Sequence, residues 1–341
     1  MKRKKAVKII LFISIFLILL TGVSYIVRTN GNAKNRFAGF YAEPKDSIDV
    51  LMFGASPVGT SFSAGYMWGE YGFTSYPLST NTQRPKAIRY LLEEAYKYQN
   101  PEVVVIDVRM FTYEDEEMAE DEAHIREVTD NMRYSLQRIK TINALTEKMD
   151  NVYTFYFDIF KFHSNWKMLF LPEELAKFAY CKKDLHKGFE HPETIMKHDT
   201  PPLVKTNEQI SIPPEQENYL RTLLQYLKEQ NQQALFVVTP SVDTKEYHEK
   251  MNYMENIVRS EGFQFLNMNE YYEEMQFDFS TDLMDGVHTN TLGARKASNL
   301  LGEYLQQNYS LTDRRDAKGY DAWNESYKEF MEIYNKMKNV E

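Results

Sequence analysis

The uninterrupted apolar run that starts at Val103, between Pro101 and Arg109, constrains the fold of this chain most. A strand with one wet face alternates apolar and polar residues. A strand without that alternation is covered on both faces, as in a parallel sheet between layers of helices. The same kind of run recurs at Val50–Phe53, in QALFVVTP and in FQFLNM, and a shorter strand is expected around Thr74–Leu78. Between the runs lie segments of helical period. Pro85–Tyr98 puts Ile88, Leu91, Leu92 and Ala95 on one face, and Glu215–Glu229 does the same with Tyr219, Leu220, Leu223, Leu224 and Leu227. Tyr247–Glu261 and Thr291–Gln307 complete the helices. Strand, helix, strand in this order predicts right-handed βαβ units. The expected fold class is α/β: a three-layer, doubly wound, mainly parallel sheet, with functional residues at the carboxyl ends of the strands.

The first 28 residues form a separate object. Lys2, Arg3, Lys4, Lys5 and Lys8 precede Ile9–Val27, nineteen residues without a charge. As a helix, that run is about 28 Å long, close to the thickness of a bilayer's hydrocarbon core. A cleaved signal peptide is the rival reading, but its apolar core is usually shorter, and no Ala-x-Ala site follows here. The basic flank places the N-terminus in the cytoplasm and the main domain outside a cell membrane crossed once. The expected organisation is a tip and signal anchor at 1–28 and a polar stalk at 29–47. The main domain at 48–310 carries a helical insertion at about 112–205, and a helical tail packed outside the sheet spans 311–341. Six of the 40 basic and none of the 49 acidic side chains fall in the first 28 residues, so the remainder carries a formal −15. Such a charge disfavours nucleic acid as a partner. The single cysteine, Cys181, excludes an intrachain disulfide and zinc sites built on cysteine clusters. The histidines at 124, 186, 191, 198 and 248 show no metal-ligand spacing, and surface roles are expected for them. No cofactor is expected.

Two segments far apart carry the chemistry. IDVLMFGAS ends an apolar strand in Gly54-Ala55-Ser56, and TDLMDGVHTNTLGA holds Asp285 and His288 before the last core helix. Gly54 permits a tight turn that lifts a serine hydroxyl above the sheet edge. His288 would serve as general base on Ser56, and Asp285 would orient the imidazole and stabilise its protonated form. Asp107 and Arg109, after the central strand, are expected to form a fold-supporting ion pair.

These segments resemble the SGNH/GDSL hydrolases, and most closely a membrane-anchored bacterial branch linked to envelope polysaccharide O-acylation. LMDGVHTNTLGARK is similar to that branch's FYDGGHLNxxGAxK. EYGFTSYPLSTNTQRPKAIRYLLEEAYKYQNPEVVVIDV also fits it, and the resemblance runs from about residue 48 to 307. It implies catalytic Ser56, His288 and Asp285, with Gly54, Asn81 and Gln83 as oxyanion or substrate candidates. DEAHIREVTDNMRYSL and FHSNWK resemble motifs of the branch and add Arg126, Asp130, His163 and Trp166 as substrate candidates. A helical cap, with Arg126 and Asp130 paired and Trp166 packed, is the alternative. The implied activity is a serine esterase or O-acyltransferase on acyl esters of envelope glycans. The implied partners are an acylated glycan or acyl donor and a membrane acyltransferase. The chain departs from the branch at Ala55, where a second serine is usual, and at Pro57, where a histidine is usual. It departs again at Thr82, which stands where the branch has glycine. Proline has no N–H to offer an oxyanion. An inactive glycan-binding or scaffold protein of an acylation system is the second reading.

Overall fold

The computed structural model describes residues 2–28, 32–168, 183–201 and 206–339; Cys181 lies outside them, as does part of the expected insertion. In chain order, α1 (Lys2–Val27) and α2 (Asn32–Ala42) precede β1 (Val50–Phe53), α3 (Ser56–Ser61), α4 (Ala64–Tyr71) and β2 (Ser75–Pro77). Then come α5 (Pro85–Ala95) and β3 (Val103–Asp107). The insertion supplies α6 (Asp115–Glu120), α7 (Glu122–Thr129), α8 (Leu136–Leu145), α9 (Tyr153–Tyr156) and α10 (Ile159–Phe162). The chain returns through α11 (Pro214–Glu229), β4 (Gln233–Val238), α12 (Lys245–Ser260), β5 (Gln264–Asn267), α13 (Thr291–Asn308) and α14 (Asp321–Lys338).

The five strands form one parallel sheet in the order β2-β1-β3-β4-β5. Successive strand residues point to opposite faces, so each apolar run feeds two cores. Leu51, Phe53, Val104, Ile106 and Phe236 pack against Leu91 and Leu92 of α5, Leu220 and Leu224 of α11, and Met251 and Met254 of α12. Val50, Met52, Val103, Val105 and Leu235 pack against Val58 of α3, Met67 of α4, and Ala297 and Leu301 of α13. The two cores explain why no strand shows alternation. The order reverses direction between β1 and β3, and in open α/β sheets the crevice at such a switch point is where ligands bind.

Residues 32–42 are not part of a polar stalk. Phe37, Phe40 and Tyr41 of α2 are buried in the first core, Phe40 edge-on to Tyr76 at 5.9 Å. Their spacing of three and one is helical, and it buries one face of an otherwise polar segment. Farther along, α14 packs on α4, with Trp68 stacked on Tyr320 and its indole N–H donated to Asn324 at 2.8 Å.

The insertion is built around a buried ion cluster. Asp158 accepts from Arg28 at 2.6 Å, from Arg138 at 2.8 Å and from the Tyr134 hydroxyl at 2.8 Å. Arg138 also faces Asp130, which Arg126 holds at 3.2 Å. Arg28 follows directly on α1, so the apolar helix is tied to the insertion at its end. α1 is long and apolar enough to cross a membrane, with a mean hydropathy of 2.7 over an 18-residue stretch within Arg3–Val27.

Candidate active site

Ser56 stands at the carboxyl end of β1, beside the switch point. The strand ends at Phe53, and Gly54 follows with φ 151°. A Cβ there would lie 2.7 Å from Val58 Cγ2 and 2.8 Å from Asp107 Cβ, so both backbone and space demand glycine. Ala55 precedes α3, and Ser56 is its first residue. Pro57 sits in the first turn, where a missing N–H leaves no helix hydrogen bond unmade.

The histidine comes from a strap braced on several sides. Leu283 bridges Thr289, and the Met284 N–H donates to the His288 carbonyl at 2.9 Å. Asn290 caps α13 by accepting from Leu292 and Gly293, while its amide donates to the Thr281 carbonyl at 2.6 Å. A Cβ on Gly293 would lie 2.3 Å from the Asp282 carbonyl, which explains the glycine three residues after the cap. Asp282 is buried and paired with Lys296 at 2.7 Å.

This bracing brings the three expected residues together. Ser56 Oγ lies 2.7 Å from His288 Nε2. His288 Nδ1 lies 2.8 Å from Asp285 Oδ2 and 3.0 Å from Oδ1. Asp285 Oδ1 also accepts the backbone N–H groups of Val287 and His288, both at 2.8 Å. Burial pushes the Asp285 carboxyl upward. The Val287 N–H, the His288 ring and the His288 N–H outweigh it and hold the group below the usual carboxylate range. A hydroxyl, an imidazole and an ionised carboxylate in hydrogen-bonded series form the arrangement that turns a serine into a nucleophile.

Ser56 and His288 open on a cavity of about 370 Å³. The opposite wall comes from β3's carboxyl end and the start of the insertion: Arg109, Tyr113, Glu117, Asp121 and His124. Arg109 donates to Ser241 Oγ at 2.5 Å and lies over the Tyr247 ring at 5.0 Å, while its Nε has no partner among the described residues. The expected side-chain pair of Arg109 with Asp107 is not formed. Asp107 instead accepts the backbone N–H groups of Arg109 and Thr239. His124 departs from a plain surface role, since it lines the cavity and pairs with Asp121 at 2.8 Å; His248 is buried.

The remaining candidates lie away from the reacting atoms. Gln83 is buried and braces the turn, accepting from the Gly54 N–H at 3.0 Å and donating to the Leu78 carbonyl at 3.2 Å. Both of its ends are used by the fold. Asn81 is turned to Glu127, which accepts its backbone and side-chain N–H groups at 2.8 Å. Thr82, between them, lines the cavity and has φ 41°, a left-handed conformation that disfavours a β-branched residue. Arg126 and Asp130 belong to the buried ion cluster, with Arg126 also over the Phe155 ring at 4.0 Å. His163 and Trp166 lie in a short 3-10 turn that packs beside α1, and Trp166 is largely exposed. The candidates at 126, 130, 163 and 166 therefore do not line the Ser56 cavity. Among the described residues, no group of His, Cys, Asp or Glu is arranged to hold a metal ion. No protein-family model and no curated protein matches this chain.

Proposed function

We propose that this chain is a membrane-tethered serine esterase or O-acyltransferase of the SGNH type, acting outside the cytoplasm on acyl esters of envelope glycans. The observation that carries the reading is the hydrogen-bonded series Ser56–His288–Asp285 opening on a cavity at the sheet's switch point. The glycan and the membrane acyltransferase partner rest on the resemblance of the sequence motifs, as does the SGNH assignment.

In this reaction Ser56 Oγ attacks the acyl carbonyl while His288 Nε2 takes the hydroxyl proton. The tetrahedral intermediate collapses, and the leaving oxygen receives that proton. An acyl-enzyme ester remains on Ser56. Water or a sugar hydroxyl then attacks it, giving its own proton to His288, and Ser56 is regenerated. Ser56 and Thr82 line the cavity, and the mechanism assigns their backbone N–H groups as the oxyanion donors. Pro57 is not one.

The test is intact-mass labelling of the full-length protein in detergent with a fluorophosphonate. Truncation after residue 28 would remove Arg28 from its buried pair with Asp158, so the whole chain is used. One adduct on the wild type, absent from Ser56→Ala and strongly slowed in His288→Ala, is expected. A folded wild type that takes no adduct would overturn the enzyme reading and favour the glycan-binding one.

A further inference from the structure

We infer that the helical insertion enters the outer leaflet of the bilayer, with an apolar collar around the exit of α1 as its contact surface. The inference rests on α1 being a membrane span. Val7–Leu19 of α1 is exposed throughout, but from Leu20 onward the helix is half-covered, and Ser24, Val27 and Arg28 are buried against the protein. The covering elements are α10 and the 3-10 turn at His163–Met168, and Asn165 donates to the Val27 carbonyl at 2.9 Å.

Length then decides the geometry. If only the free part Ile9–Leu19 lay in lipid, its eleven residues would span about 16 Å, roughly half of a hydrocarbon core. Adding Leu20–Val27 brings the span to about 28 Å, so the last two turns of α1 must also sit in the apolar slab. The parts of the insertion beside those turns go with them.

The side chains at that level suit such a place. Leu136 is 85% exposed, and Ile139 lies one turn along the same face of α8. Together with Phe157 they face Leu20, Thr21 and Ser24 of α1 across an apolar groove of about 480 Å³. Phe160, 6.2 Å from Phe157, extends the collar, and Trp166 stands near the end of the span. An exposed tryptophan at a helix exit fits the aromatic belt of a membrane interface, and exposed leucine and phenylalanine beside it form the kind of apolar face that enters lipid. The surface is continuous with α1 itself, and the bilayer that takes α1 is its occupant. Trp166 thereby gains a role as an interfacial anchor instead of a sugar platform.

The experiment places an environment-sensitive fluorophore (nitrobenzoxadiazole) on Leu136→Cys in a Cys181→Ser full-length protein. The protein is reconstituted into phosphatidylglycerol–phosphatidylcholine vesicles. Val23→Cys on α1 is the positive control, and Lys328→Cys on α14 the water control. Emission at 136 shifted to the blue and quenched by chain-labelled doxyl lipids, as at position 23 and unlike position 328, is expected. Protein that floats with vesicles and is quenched at 23, but not at 136, overturns the collar and leaves the anchor standing. Protein that does not float with vesicles overturns the anchor and the collar together. Leu136 is exposed enough that its substitution leaves folding intact.

Discussion

Replacing Asp285 with asparagine tests the chemistry with the least disturbance of the strap. The side chains are isosteric. The asparagine carbonyl oxygen can still accept the Val287 and His288 backbone N–H groups, each at 2.8 Å from Oδ1 in the wild type. That leaves the amide N–H₂ facing His288 Nδ1, where Oδ2 stood at 2.8 Å. A donor at that position turns Nδ1 into an acceptor and moves the ring proton to Nε2. Nε2–H then points at Ser56 Oγ, 2.7 Å away, and has no lone pair to take the serine proton. The loss of the base, together with the loss of carboxylate stabilisation, should lower turnover by about a thousandfold to ten-thousandfold. That factor corresponds to about 4–5.5 kcal/mol of barrier. The assay is the rate of fluorophosphonate labelling at fixed probe concentration, backed by hydrolysis of a p-nitrophenyl acyl ester. The melting curve should remain within a few degrees of the wild type. A rate within tenfold of the wild type, with folding intact, would refute the assigned tautomer and the role of Asp285.

Asp158→Ala leaves Arg28 and Arg138 buried without their shared carboxylate, and it should destabilise the protein by about 3–5 kcal/mol in denaturant titration; a loss below 1 kcal/mol would refute the cluster as a structural anchor. Thr82→Gly relieves a left-handed φ of 41° and should stabilise by about 0.5–1 kcal/mol after the extra backbone entropy of glycine is subtracted, read as a raised Tm. Gly54→Ala should destabilise and abolish labelling, since the added Cβ meets Val58 and Asp107 below 3 Å; retained labelling would show that the turn yields. Burial, and then the charge of Asp158, push the Asp130 carboxyl up to about 6 against the pull of the arginines. The folded state therefore holds a proton there that the unfolded state has released, and this group's contribution to stability falls as pH rises from about 4 to about 6. Asp130→Asn should flatten that part of the stability–pH curve relative to the wild type, and an unchanged difference curve would exclude the titration.

The sheet was legible because it is buried on both faces. QALFVVTP and FQFLNM became β4 and β5, and Glu215–Glu229 became α11 with one added residue, since strands without alternation and helices with a clean apolar face leave few alternatives. The Ser56–His288–Asp285 series was legible for a different reason: each residue sits next to a backbone device visible in sequence, a glycine after a strand or an asparagine cap before a helix. What escaped depends on partners far along the chain. Phe37, Phe40 and Tyr41 carry a helical spacing, but their basic and polar neighbours disguise α2 as linker. Arg126 and Asp130 form the helical pair that spacing allows. Their third partner, Arg138, faces Asp130 only after the insertion folds. Arg109 stood after the central strand, where α/β sites form, but its hold on Ser241 and Tyr247, more than a hundred residues away, was not legible, and an ion pair with Asp107 was expected instead.

The docking of α2 and Arg28 changes how such a protein would search for substrate. A polar linker of nineteen residues would let the pocket sweep a hemisphere around its anchor. Here only residues 29–31 separate Arg28 from α2, and three residues reach at most about 11 Å. On a membrane the pocket would therefore ride at one altitude and patrol a plane by lateral diffusion. If the substrate is the proposed glycan ester, the polymer, through its own length and bending, would have to deliver that ester to the plane, so selection among positions along a chain would begin before any contact with Ser56.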